Sequence, residues 1–435
     1  MSIAAPTAPS RAQTRSPAGG YPLWVLALLT LAYILNFLDR QLLAIVARDV
    51  KAELALSDTQ LAVLLGPAFV LCFTLASFVL ARAADRGSRK WVLTIGLAAW
   101  SLFTAGCGVA TSFVQLAGMR FAVGIGEAAG APPSQSMIAD YFGPAQRARA
   151  MSVFGLGIYF GTALGAAGGG LIADRFDWRT AFLAAGALGL PLALAIGWSV
   201  REPERTVDVE DVPQTALLAR IGAVFARPTY RWLMAAAACQ SFIGYAALSW
   251  SALYLQRVFG MSLSESGIAF GLLAGGSGAV GCFAGGVLAD RFGARDPRWY
   301  GRISGGACLA AAPLFALFAL APTAGLALAC FGVFYFLNNV YLPVLWLLVQ
   351  GLVHPRLRAT SAATQFAVTN LFGYGLGSIS IGLLNDGLAA RFGDEAIRYS
   401  LVVAAGVGAL SAPCLFAISR TIRSDLAAID AAARG

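Results

Sequence analysis

Apolar runs of membrane-crossing length recur near residues 22–46, 59–81, 91–111, 113–138, 150–173, 179–199, 230–256, 265–288, 302–320, 325–350, 361–384 and 397–419. A helix needs roughly 20 apolar residues to cross the hydrocarbon layer, so the pattern predicts an all-α integral membrane protein with twelve transmembrane helices. Residues 1–21, rich in Ala, Pro and Ser with Arg11 and Arg15, read as a disordered tail with no cleavable signal peptide. A polar link over 201–229 carries Glu202, Glu204, Asp208, Glu210 and Asp211 and divides the spans six and six, into bundles at 22–200 and 230–420. Residues 421–435 form a second tail.

Composition sharpens this reading. Of 435 residues, 58% are hydrophobic and 12% charged, whereas a soluble domain carries about a quarter charged residues. The chain therefore partners with a lipid bilayer, and nucleic-acid binding and cytosolic catalysis are excluded as readings. The net charge of +9 is explained by its distribution. If the N-terminus is cytoplasmic, the segments on that side hold 22 Lys and Arg and the opposite loops hold 7, which places both termini in the cytoplasm. Arginine-rich, short loops point to a bacterial inner membrane. The seven cysteines lie in apolar stretches without a CxxC pair, and the lone His354 stands before Pro355 in a polar turn. No metal set or cofactor is expected, and a carboxylate is left as the proton carrier.

The halves echo each other through glycine and charge landmarks. At an offset of 212, Gly161, Gly165, Gly170, Leu171 and Asp174 fall on Gly373, Gly377, Gly382, Leu383 and Asp386. At 211, Pro144 and Arg147 fall on Pro355 and Arg358, and at 205, Asp85 and Arg86 fall on Asp290 and Arg291. A duplicated six-helix unit is a known design of secondary transporters, with the binding site between the repeats. In the fifth span, Gly157, Gly161, Gly165 and Gly169 share one stripe at a spacing of four, a surface for close helix packing.

Candidate chemistry lies in the charges inside spans. A charge at the bilayer centre costs at least about 2.5–3.5 kcal/mol and calls for a partner or a role. Four stand out, Asp39, Arg40, Arg120 and Glu127, and they sum to zero. At 1.5 Å per residue, Asp39 and Arg40 lie roughly 26 Å along the first helix, in its outer half. Arg120 falls roughly 10 Å below the outer surface and Glu127 about 10 Å deeper, near the midplane. Spaced by seven, Arg120 and Glu127 share a helix face, and Arg120 reaches the depth of Asp39. A buried carboxylic acid is pushed toward neutrality by desolvation and pulled back by a nearby arginine, a balance that suits proton coupling. Glu127, the deepest and without an arginine beside it in sequence, is the first proton-coupling candidate and Asp39 the second. Arg40 and Arg120 are candidates for binding an anionic headgroup or relaying charge.

The second half offers neutral polar and aromatic groups instead. Tyr245, Tyr335, Asn338, Asn339 and Asn370 are candidate cavity-lining residues there, and a charged wall facing an aromatic and amide wall suits an amphipathic solute.

Two turns carry a recognisable pattern. Ala81 to Lys90 includes Asp85, Arg86, Gly87 and Arg89, and Gly286 to Arg295 includes Asp290, Arg291, Gly293 and Arg295. Both resemble the cytoplasmic GxxxDRxGRR motif of the major facilitator superfamily, the second more closely because Ala81 replaces the first glycine in the N-terminal copy. An acidic group at a helix end with following arginines builds a charge latch on that face. Gly161-x3-Gly165-Ala166-x2-Gly169-Gly170 resembles the antiporter motif of the same superfamily, with Ala166 in place of its proline.

Three further stretches, Leu35-Asn36-Phe37-Leu38-Asp39-Arg40-Gln41, Leu56-Ser57-Asp58-Thr59-Gln60-Leu61 and Arg120-x3-Gly124-x-Gly126-Glu127-Ala128, resemble the spinster-like branch of that superfamily. The resemblance implies the major facilitator fold of two pseudo-symmetric six-helix bundles. It also implies proton-coupled movement of lysophospholipids or sphingosine-type lipids, with Asp39, Arg40, Arg120 and Glu127 as the coupling and binding cluster. The implied energy source is the proton gradient, the mechanism rocker-switch alternating access, and the working unit a monomer. The anion:cation symporter branch, which moves organic acids, shares the Asp-Arg pair and the Gly-x-Gly-Glu-Ala stretch and stays open as an alternative. So does a receptor on a transporter fold. An enzyme is not expected, because neither a His/Cys cluster nor a GxSxG elbow is present.

Overall fold

The computed structural model describes residues 20–203, 217–353 and 357–434, without the side chains of Phe78, Asp85 and a few others. The N-terminal tail, the acidic stretch of the link and the His354-Pro355 turn thus lie outside the described residues. Among those described, all regular structure is helical. Six spans form the first half: Tyr21–Ile45; Asp58–Leu65 continued by Pro67–Arg86; Arg89–Gly108; Phe113–Glu127 with Ala131–Tyr141; Pro144–Arg175; and Trp178–Ser199. After a short helix at Leu217–Phe225, the second half follows with Pro228–Phe259, an eighth span over 263–293, Arg298–Leu320, Ala324–Val340 with Leu342–Gly351, an eleventh over 358–392, and Ala396–Ala409 with Ser411–Arg434. Ten stretches are long and apolar enough to cross a membrane. Twelve spans result because the fourth is split into two short helices and the last stretch, Thr360–Ile429, contains two.

The breaks follow from sequence. Pro67, Pro132 with Pro133, and Pro343 lack the amide proton that a continuing helix needs, and each stands in the first turn of a new helix. Several starts are fixed by side chains that accept backbone N–H groups: Ser57, Ser112, Asp177, Ser262 and Thr323 cap the second, fourth, sixth, eighth and tenth spans. All five lie on the face opposite the one that carries Tyr21 and Arg434. We call these the distal and terminal faces.

Packing repeats between the halves. The first span lies along the fifth as the seventh lies along the eleventh, and the third packs on the sixth as the ninth packs on the twelfth. Across the interface, the fifth meets the eighth and the eleventh meets the second. The glycine landmarks make these contacts. A Cβ at Gly161 or Gly165 would stand 2.4 Å from the Ile34 carbonyl oxygen and 2.6 Å from that of Leu38, and one at Gly377 would stand 2.9 Å from that of Phe242. Gly170 and Gly382 meet the opposite half in the same way, at 2.3 Å from the Leu263 oxygen and 2.5 Å from the Asp58 oxygen. A valine at 165 would force the first span away from the fifth beside Asp39. Gly165→Val is expected to destabilise the fold by about 1–3 kcal/mol, read as a lowered melting temperature in detergent.

The pseudo-symmetry ends in a pair of latches on the distal face. Asp386, in the distal part of the eleventh span, accepts hydrogen bonds from the Asp58 and Thr59 amides (2.9 and 2.8 Å) and the Thr59 hydroxyl (2.6 Å). Its counterpart Asp174 accepts from the Ser264 amide at 3.3 Å and from the Ser264 hydroxyl. Each carboxylate thus sits on the N-terminus of a helix in the other half, where the helix dipole favours negative charge. Asp58 adds a bidentate pair with Arg257 (both 2.6 Å) and a bond to Lys51 (2.5 Å). Gln256 donates to the Ile45 carbonyl at 2.9 Å and Gln41 to that of Leu248 at 3.1 Å. These hydrogen bonds between the halves lie at the distal face or toward mid-depth. A further one, at mid-depth, joins the Tyr159 hydroxyl to Asn339 Oδ1 at 3.4 Å. The distal face is closed.

Candidate functional site

Two glycines build the charged centre. A Cβ at Gly124 would stand 2.5 Å from the Phe69 carbonyl oxygen, and one at Gly126 would stand 2.7 Å from Trp100 Cβ, so the fourth span lies against the second and third backbone to backbone. Glu127 is the last residue of its helix before the chain breaks at 128–130. That position carries its carboxylate to the first span, where Arg40 Nε donates to Glu127 Oε2 at 2.8 Å. The side chains are 11% and 0% exposed. Asp39, one residue earlier, faces the third span instead and accepts from the Thr104 hydroxyl at 2.9 Å. It remains within electrostatic reach of Glu127, Arg120 and Arg40.

Arg120 is 1% exposed. Its three guanidinium nitrogens, and Glu127 Oε1, make no hydrogen bond among the described residues. An aromatic cradle holds both arginines: the Arg40 guanidinium lies 5.0, 4.8 and 4.9 Å from the Phe37, Phe69 and Phe73 ring centroids, and Arg120 lies 5.4 Å from that of Phe69. Such contacts stabilise a desolvated cation by roughly 0.5–2 kcal/mol each. They leave the hydrogen-bonding edge of Arg120 free.

The structure thus brings all four sequence-predicted charges into one buried cluster, with the pairing redistributed. Sequence depth put Arg120 level with Asp39 and Glu127 deeper on the same helix face as Arg120; in space the direct ion pair is Arg40 with Glu127. Beside it lies a cavity of ≈ 20 Å³ lined by Phe37, Arg40, Gln41, Thr162, Tyr245 and Tyr374 among others, room for about one water. Tyr245 and Tyr374, 4.5 Å apart between centroids, form its second-half wall. The other second-half candidates are only partly gathered here. Asn338 accepts from Gln240 (2.6 Å), while Asn339 donates to the Tyr335 carbonyl (2.7 Å). Tyr335 stacks on Phe331, and Asn370 is buried where the eleventh span widens its turns over Asn370–Gly377.

At the terminal face, the two motif copies differ. Arg89 is 5% exposed and joins Asp140, Glu202 (2.8 Å), Ser136 (3.0 Å) and the Pro203 carbonyl (2.8 Å). It ties the third and fourth spans to the start of the link. Burial pushes the Glu202 carboxyl up, and hydrogen bonds from Arg89, the Lys90 amide and Ser88 outweigh it, so the group is held below its ordinary range. The bond therefore contributes fully above that range and is lost only as pH falls through the lowered value. Arg86 is exposed, and the Asp85 side chain lies outside the described residues. In the second copy, Asp290, Arg291 and Arg295 are exposed and form no ion pair among the described residues; the pair there joins Asp296 to Arg423 at 2.9 Å.

Sequence reasoning missed the Phe69 and Phe73 cradle, Thr104 and the Asp58 to Arg257 pair. Only the last left a signal, the capping sequence Ser57-x-x-Gln60 with an acidic residue inside it.

Comparison with known proteins follows the same lines. The profile of the Major Facilitator Superfamily matches residues 29–381. An MFS-type efflux pump of Mycolicibacterium smegmatis (strain ATCC 700084 / mc(2)155) is 32% identical over 403 residues, covering 92% of each chain. Protein spinster homolog 1 of Homo sapiens is 27% identical over 431 residues, covering 92% of this chain and 81% of its own. The crystal structure of a bacterial homolog to the human lysosomal transporter Spinster, in an inward-facing and unoccupied conformation, aligns with a TM-score of 0.84 at 29% identity, covering 94% of this chain and 99% of that one.

Proposed function

Because the chain belongs to the Major Facilitator Superfamily, and within it to the spinster-like branch, we propose that this transporter is proton-coupled and moves an amphipathic, lipid-like solute by rocker-switch alternating access. A lysophospholipid or sphingoid lipid has the required shape. The observation that carries the reading is the buried pair of Arg40 with Glu127 beside an arginine whose three nitrogens are free. With both carboxylates ionised the cluster is neutral. Protonating Glu127 leaves it with one positive charge and releases Arg40, and an anionic headgroup bound by Arg40 and Arg120 restores neutrality. A proton and an anionic group therefore favour each other's binding. A cationic amine would reverse the sign, because it competes with the proton for the carboxylate.

Alternating access follows from the latches. The positive-inside asymmetry places the terminal face, with both chain ends, in the cytoplasm, and a bacterial inner membrane fits the short basic loops. The closed distal face then corresponds to an inward-facing state, as in the Spinster homolog. The chain works as a monomer, with the proton gradient as its energy source and no cofactor.

A second reading has its own support. A free guanidinium edge is the natural partner of a bidentate carboxylate, which fits an organic-anion symporter. Proteoliposomes holding a trapped pH dye separate the two when challenged with a lysophospholipid, a sphingoid base and a small organic acid. A proton signal from the lipids supports the proposal, and a signal from the organic acid alone overturns it. Silence from all three would leave the fold standing and the solute to be sought in another class. In the same assay Arg40→Ala is expected to weaken an anionic solute far more than a neutral one; equal losses would assign Arg40 a structural role.

A further inference from the structure

A separate basic groove opens at the terminal face between the ninth and twelfth spans. It has a volume of ≈ 450 Å³ and is lined by Arg298, Arg302, Phe416, Ser419 and Arg420. Two glycines bring the spans together beneath it: a Cβ at Gly301 would stand 2.4 Å from the Leu415 carbonyl oxygen, and one at Gly305 would stand 3.0 Å from the Phe416 ring. The Ser419 hydroxyl donates to the Arg298 carbonyl at 3.1 Å, which sets the two helix ends at one level. Arg298 and Arg302 are four residues apart on one helix face, and Arg420 comes from the other helix.

These three arginines make no ion pair among the described residues. The neighbouring carboxylate, Asp296, is taken by Arg423 and by the Arg298 amide, at 2.9 and 3.0 Å. Three like charges facing one groove repel each other, and an anion between them removes that cost. Toward the membrane the surroundings turn apolar: Leu309, seven residues from Arg302, is 56% exposed, and Phe416, four residues from Arg420, is 39% exposed. The Arg302 guanidinium lies 5.3 Å from the Trp299 ring, an aromatic group at the boundary level. Cationic groups at the interface above exposed aliphatic and aromatic side chains match a ligand with a phosphate at one end and acyl chains at the other.

We propose that this groove binds the phosphodiester headgroup of an anionic phospholipid drawn from the surrounding bilayer. The arginines take the phosphate oxygens and the acyl chains lie over Phe416 and Leu309. The site is separate from the buried cluster of the first half and does not depend on which solute that cluster carries.

The test is a lipid titration of the purified full chain in detergent, read by native mass spectrometry, with palmitoyl-oleoyl phosphatidylglycerol, the matching phosphatidylcholine, and inorganic phosphate as separate arms. At roughly fivefold per arginine near a membrane surface, the Arg302→Gln/Arg420→Gln variant should bind phosphatidylglycerol about 25-fold more weakly. Phosphatidylcholine binding should not change. The Arg302→Lys/Arg420→Lys variant should keep most of the preference, and Arg391→Gln, exposed near the distal face and away from the groove, all of it. Equal retention of both lipids by the unaltered protein would overturn the proposal, as would displacement of phosphatidylglycerol by an equal concentration of phosphate. If the double Arg→Gln variant does not fold, loss of the preference in Arg420→Gln alone, by about fivefold, decides the question.

Discussion

Glu127→Gln should abolish accumulation of solute driven by a proton gradient while leaving exchange of solute across the membrane intact. The amide keeps the shape of the carboxyl and can still accept from Arg40, so the contact of the fourth span with the first survives. What it cannot do is change charge. With Asp39 ionised, the cluster of this variant carries one positive charge, the same as the wild type protonated at Glu127, so on the proposed mechanism the anionic solute binds but no longer brings a proton through this position. Counterflow, in which labelled solute exchanges for unlabelled, needs only binding and alternating access and should persist. Net uptake against a gradient needs the proton and should drop to simple equilibration. Glu127→Ala serves as a contrast, since it leaves Arg40, 11% exposed, as an unpaired buried charge and should lower stability by about 3–5 kcal/mol. Uptake that still follows the pH gradient in Glu127→Gln would remove Glu127 from the coupling step and direct attention to Asp39.

Much of the architecture was legible because lipid imposes strong sequence constraints. Span number, the six-and-six division and the duplicated glycines all follow from hydropathy and spacing, and Gly161 and Gly373 indeed face equivalent helices. The identity of the buried charges was legible for the same reason, since few charges are tolerated inside a membrane. Their pairing was not. Depth along a straight helix put Arg120 level with Asp39, but the first helix of the fourth span stops at Glu127 and the azimuth of the first span turns Arg40, not Asp39, toward it. Periodicity gives position along an axis; which face meets which neighbour depends on glycine contacts such as Gly126 on Trp100, formed by residues far apart in sequence. The motif copies show the same limit. The better match, at Asp290 and Arg291, forms no ion pair among the described residues, whereas the poorer one contains Arg89, joined to Asp140 and Glu202.

Asp58→Asn is expected to shift the protein from its distal-closed state toward a distal-open one. Asp58 is 4% exposed and joins Arg257 of the other half through both carboxylate oxygens. On the proposed alternating access this pair exists only while the distal face is closed, since opening separates the second span from the seventh, whereas the bond of Asp58 to Lys51 lies within the first half and is kept in both states. Loss of the Lys51 bond is common to both states, so removing the carboxylate raises the closed state relative to the open one by about 3–5 kcal/mol, because Arg257 stays buried against a neutral amide. At about 1.4 kcal/mol per factor of ten, the equilibrium moves by roughly two to three and a half orders of magnitude. The remaining latches, Asp386 and Asp174 on helix N-termini, contribute about 0.3–1 kcal/mol each and cannot offset that loss. Spin labels on the distal loops of the two halves should report a longer distance in Asp58→Asn. The double variant Asp58→Asn/Arg257→Gln, with neither charge left buried, should return part of the way, and the difference from additivity measures the pair. An unchanged distance in Asp58→Asn would mean that the glycine contacts of Gly170 and Gly382, rather than charge, hold the distal face shut, and the coupling carboxylate would then act on packing alone.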